Sequence, residues 1–108
     1  NGRKLKFNSC DGIVFYHKDE IIYAEARRSY SILFFSEGRK QYLSMNLGKL
    51  EEILTYPPFF RLSRSIIINT HYLMKVDKKK HQCVLQNHRE FYTLHIPSKK
   101  ISELNSLL

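Results

Sequence analysis

Phe59-Phe60-Arg61-Leu62-Ser63-Arg64-Ser65-Ile66-Ile67-Ile68-Asn69 sets two arginines and two serine hydroxyls directly beside an apolar run. The apolar residues fix the segment to a core, and the cations reach out from it. From Ile53 to Val76 there is no Asp or Glu, while Arg61, Arg64 and Lys75 fall inside that span, so neighbours in sequence do not cancel the local field. A polyanion is the partner such a pattern suits.

On either side of this stretch the chain reads as short strands with little helix. Asn46 is a good N-cap, and Leu47, Leu50, Ile53 and Leu54 recur on one face of the helix that follows, with Lys49, Glu51 and Glu52 on the other. Tyr56-Pro57-Pro58 stops that helix, because proline disfavours helical geometry in the residue before it and cannot donate a backbone hydrogen bond. Before the helix, β-branched and aromatic residues predict strands over 4–8, 12–17, 21–26, 30–35 and 41–45, spaced like an antiparallel meander. Ser9-Cys10-Asp11-Gly12, Lys18-Asp19 and Ser36-Glu37-Gly38-Arg39 are the turns between them. After the helix, strands are predicted at 66–69, 73–77, 81–86 and 91–96, with Lys78-Lys79-Lys80 and Asn87-His88-Arg89 as turns. A closing helix over 98–108 has Ser98 as its cap and Ile101, Leu104, Leu107 and Leu108 as its apolar stripe. The fold class expected is mostly β: elongated antiparallel sheets with one or two short helices.

Length and composition narrow the function. The 108 residues, 43% of them hydrophobic, make one domain over 1–108 with a single core, and the absence of an initiator Met reads as a fragment of something longer. Eighteen Lys and Arg against ten Asp and Glu leave a formal net charge of +8, which favours nucleic acid or an acidic surface. Cys10 and Cys83 are too few and too far apart for a disulfide framework or a paired-Cys zinc site; they read as reduced thiols in a cytoplasmic protein. No apolar run nears the roughly 20 residues needed to cross a bilayer, and the N-terminus has no signal-peptide layout.

Catalytic patterns are missing. The five His, at 17, 71, 81, 88 and 95, give no close ligand pair of the usual kind, although His81 and Cys83 would share one face of a strand. The scattered Gly2, Gly12, Gly38 and Gly48 build no phosphate loop, and Ser98 after His95 has no nucleophile-elbow context. The expectation is a binding domain with no enzyme activity, no cofactor and no metal.

Cations recur where loops are expected: Arg27-Arg28-Ser29 between two strands, Arg61 and Arg64, and Lys99-Lys100 at the opening of the last helix. Arginine grips guanine O6 and N7 in bidentate fashion, whereas Ser, Asn and Tyr donate to phosphates or bases. Lys99 and Lys100 adjoin a helix N-terminus whose amides favour an anion. Each cluster also reads as a plain solvated face. Lys78-Lys79-Lys80 suits a hairpin tip, Asn69 suits a strand end whose backbone it bonds, and the Tyr30 ring suits either sheet packing or a loop mouth.

Residues 19–31, Asp-Glu-Ile-Ile-Tyr-Ala-Glu-Ala-Arg-Arg-Ser-Tyr-Ser, resemble the I-x-Y-I-E-A-x-x-x-Y opening of LytTR-type DNA-binding domains. The segment Phe60 to Asn69 is similar to that family's F-x-R-x-H-R-S-x-x-V-N signature, with the helix at the expected distance before it. The resemblance covers essentially the whole chain. It implies a bacterial transcription regulator of response-regulator type whose loops enter successive major grooves at direct repeats, with two copies on double-stranded DNA and a receiver or sensory domain upstream. Carried over by position, it implies DNA contacts from Arg28, Ser29, Tyr30 and Ser31, from Arg61, Ser63 and Arg64, and from Ser98, Lys99 and Lys100. Asn46 is added as a phosphate contact from its helix start. Glu25 and Asn69 fall on signature positions that serve contact or loop support. Ser63 stands where the family has His, Ala24 where it has a larger aliphatic residue, and the 96–100 ending, Ile-Pro-Ser-Lys-Lys, is one residue shorter from its proline than P-V-S-R-R and replaces an arginine by lysine.

Two other readings remain at this point. A small β-barrel that binds RNA or single strands would use the seven Phe and seven Tyr for stacking. A protein-interaction β module would carry its basic loops only as solubilising surface.

Overall fold

The computed structural model describes residues 3–55 and 57–108. Ten strands and two α-helices run in the order β1 (Lys4–Ser9), β2 (Gly12–His17), β3 (Tyr23–Arg27), β4 (Tyr30–Phe34), β5 (Lys40–Leu43), α1 (Leu47–Ile53), β6 (Phe59–Arg61), β7 (Ile66–Asn69), β8 (Leu73–Asp77), β9 (Gln82–Asn87), β10 (Glu90–His95) and α2 (Ser98–Leu107). The molecule is elongated, 42 × 28 × 24 Å, and wholly antiparallel in its sheets. The mostly-β expectation holds.

Three sheets share the strands: a β1–β2 ribbon, a β10-β9-β8 meander, and a central sheet in the order β5-β4-β3-β7-β6. The central sheet is covered on both faces, which explains its unbroken apolar runs. Alternate side chains enter two separate cores. Phe59, Ala24, Leu33 and Ile67 join Phe7, Leu43, Leu47 and Leu50 beneath the ribbon and α1. Phe60, Tyr23 and Ile68 join Cys83, Leu85, Ile96 and Leu104 beneath the meander and α2. Burying one such side chain contributes about 1.5–3 kcal/mol. Tyr23 adds a stacked contact with Phe34 (centroids 4.3 Å) and an edge contact with Tyr92 (5.4 Å).

The structure departs from expectation in four places, the first being two cores where a single one was expected, because the central sheet buries both of its faces. The first five strands are not one meander: β1–β2 stands apart, tied to β5 by the Tyr16 hydroxyl donating to Gln41 Oε1 at 2.6 Å, and β7 fills the far side of β3. The three-residue β6 was missed, because it follows two prolines and is too short to show a period. Helix α1, by contrast, agrees with the reading: Asn46 caps its start and it ends at Ile53, capped by Leu54; of the predicted stop signal, Tyr56 lies outside the described residues. Ser98 is not the cap of α2. Pro97 holds that position without a side-chain hydrogen bond, and Ser98 sits in the first turn with its Oγ 3.5 Å from His81 Nε2.

Candidate nucleic-acid interface

Strand register sends several connections to one end of the central sheet. Arg27 pairs with Tyr30, so β3 and β4 are joined by the two-residue turn Arg28-Ser29, with Arg28 in the left-handed region at φ 56. Ser31 pairs with Leu43, which brings the end of β5 and the start of α1 to the same edge. Glu25 pairs with Ile66, and the Ala26 N–H donates to the Ser65 carbonyl at 2.8 Å, which brings the loop between β6 and β7 there too. The Ser44 N–H donates to Asn8 O at 3.0 Å and so hooks the Cys10-Asp11 turn of the ribbon onto this end.

The loop between β6 and β7 is organised from within. The Arg61 guanidinium donates from Nε to Ser63 O (2.7 Å), from Nη2 to Arg64 O (3.0 Å) and from Nη1 to Glu51 Oε1 on α1 (2.5 Å). Ser63 Oγ accepts from the Ser65 N–H at 3.1 Å, a local turn bond. With its carbonyls clamped, the loop turns the Arg64 side chain outward, and among the described residues it has no ion-pair partner.

The start of α2 joins this loop. Lys99, Lys100 and Pro97 share a concavity of about 590 Å³ with Arg61, Ser63, Arg64 and Ser65. Lys100 is engaged: its Nζ lies 3.1 Å from Glu103 and 5.5 Å from the centre of the Phe60 ring. Lys99 is exposed and unpaired among the described residues. Asn46 is the expected N-cap, its Oδ1 accepting from the Lys49 N–H at 2.9 Å, and it is exposed at the same sheet end.

Two residues expected to touch a ligand do not face one. Ser31 is fully buried and donates to Met45 O at 2.8 Å, which fastens the connection ahead of α1 to the sheet. Asn69 is fully buried at the opposite end. Its Nδ2 donates to Ile21 O (2.9 Å) and Lys18 O (3.3 Å), and its Oδ1 accepts from the His71 N–H (2.9 Å). With three backbone partners it is a bracket between distant segments, the structural alternative open from the sequence. Arg61 likewise spends its donors on the loop.

Sequence reasoning missed Tyr42 and Cys10. Tyr42 is 49% exposed with its ring 5.8 Å from that of Tyr30, itself 38% exposed, and both line a shallow depression with Cys10, Ser29 and Ser44. The period-2 position of Tyr42 in β5, opposite Ile32, was the available signal, but it needed the register to be read. Among the described residues no group of three or more His, Cys, Asp or Glu is placed to hold a metal ion, and no helix is long and apolar enough to cross a membrane.

Comparison with known proteins fits this geometry. No curated protein matches the chain. Among solved structures, it is similar to the LytTr DNA-binding domain of a methyl-accepting/DNA response regulator from Bacillus cereus, with a TM-score of 0.72 and 17% identity over 99% of this chain and 97% of that one, a likeness of fold. The family model described as the LytTr DNA-binding domain matches residues 11–108. With that match spanning the central sheet, the meander and both helices, the chain belongs to the LytTr DNA-binding domain family.

Proposed function

We propose that this domain binds double-stranded DNA sequence-specifically as the output module of a bacterial response-regulator type transcription regulator, with its loops set into successive major grooves. The observation that carries the proposal is the gathering of the 28–29, 44–46 and 62–65 connections at one sheet end, beside the start of α2, with Arg28, Arg64 and Lys99 exposed and unpaired among the described residues. Arg64 is assigned to base reading, with Tyr30 and Lys99 beside it. Arg28, Ser29, Asn46, Ser98 and Lys100 are assigned to the phosphates, which fix register without carrying sequence information. Ser63 offers a hydroxyl proton next to Arg64. Arg61, Ser31 and Asn69 support the loops. The remaining parts of the proposal are two copies on a direct repeat, a single-domain unit over 1–108, an upstream receiver or sensory domain, a cytoplasmic setting and no catalytic step.

Selection from a randomised duplex pool tests it. An enriched repeat with half-sites about one helical turn apart is the expected result. No enrichment, or equal competition by single strands stacking on Tyr30 and Tyr42, would overturn it.

A further inference from the structure

The opposite end of the molecule carries a second cationic concavity. It lies where β1 begins and β2 ends, since Lys4 pairs with His17, and Arg3, Lys4, Lys6 and Lys18 border it. Strand alternation buries Phe7 in the core and leaves Lys4 and Lys6 exposed on the other face. None of these four cations makes an ion pair among the described residues, and Asp19 is the one carboxylate on the rim. The facing wall is different in kind: Ile53 at the end of α1, then Pro57 and Phe59. The volume is about 570 Å³.

We propose that this concavity is an anion site that takes an organic phosphate of nucleotide size. Pockets for small ligands run to about 300–1,000 Å³. Lysine and arginine on one wall suit phosphate oxygens, while the apolar wall suits a ring system. His17 and Thr55 also line the concavity and can donate hydrogen bonds. An acidic peptide would leave the apolar wall unfilled, and inorganic phosphate would leave most of the volume unfilled. The site shares no lining residue with the concavity at the cationic sheet end. A ligand here and a duplex at the tips therefore occupy different surfaces.

Isothermal titration of the domain with ATP tests the proposal, with adenosine and inorganic phosphate as comparison probes. Saturable 1:1 binding of ATP is expected, with adenosine and phosphate each at least tenfold weaker. The double variant Lys4→Glu, Lys6→Glu would weaken ATP at least tenfold, and Arg64→Ala would leave it within twofold. Lys18→Glu serves as an independent second variant should the double variant fail to fold. Absence of saturable binding at millimolar ATP overturns the proposal. So does ATP binding that is lost in Arg64→Ala and displaced by duplex, which would put the nucleotide on the tips; failure of DNA selection alone would leave the ATP result standing.

Discussion

Arg61 and Arg64 are three residues apart and chemically alike, yet their surroundings give them different work. Arg61 is about a quarter exposed and holds two loop carbonyls as well as Glu51, while Arg64 is held by its backbone and presents its side chain. The Glu51 pair is half in solvent and adds little; the carbonyl bonds to a charged donor dominate. Replacing Arg61 by Met should therefore cost about 1–3 kcal/mol of stability and weaken DNA binding with the salt dependence intact. Arg64→Ala should leave stability unchanged and reduce base discrimination by about 1–3 kcal/mol. Urea melts and titrations with matched and altered duplexes check both; equal stability losses in the two variants would contradict the division. The cysteines divide in the same way. Burial pushes the Cys83 thiol up to about 11, so at pH 8 it is almost entirely protonated, whereas Cys10 is exposed in a turn. A thiol reagent at that pH should label Cys10 at once and Cys83 only on unfolding.

At the scale of elements, the hairpin turn at Arg28-Ser29 carries a side chain where glycine is easier. A non-glycine residue in the left-handed region costs on the order of 1 kcal/mol, so Arg28→Gly should hold or raise the melting temperature while duplex affinity falls. A matched loss of both would show that the arginine is structural. Asn46→Ala removes the α1 cap and should cost about 1 kcal/mol in a denaturant melt. Strands and helices were legible because β-branched runs, turn residues and a capped apolar stripe are local signals. The sheet order was not: β7 sits against β3 through pairing across some forty residues of chain, and nothing local in Ile66-Ile67-Ile68 says which strand it meets. The same limit governed the site. Arg64 and Lys99 could be read as tips because exposure follows from charge. Asn69 could be read as a strand end that bonds backbone, but Ser31 could not be separated from the tips, since a small polar residue looks the same in sequence whether it meets solvent or a buried carbonyl.

For the whole molecule, the arrangement of charge counts for more than its total. The fold separates two cationic ends, and a protein attracted to DNA only by its net +8 would respond alike to losses at either. Arg28→Ala with Arg64→Ala removes two charges from the tips; Lys4→Ala with Lys6→Ala removes two from the other end. All four residues are exposed, so neither pair disturbs a core. At physiological salt the screening length is about 8 Å, about half the roughly 17 Å that a five-residue strand such as β3 spans, so cations at the far end are screened from a duplex held at the tips. The tip variant should lose about 0.9 from the salt slope, for the one phosphate contact at Arg28, and the other variant close to nothing. Equal losses, measured by fluorescence anisotropy on one duplex from low to physiological salt, would mean that the domain meets DNA through its overall field, and the grouping of loops at one sheet end would have no part in recognition.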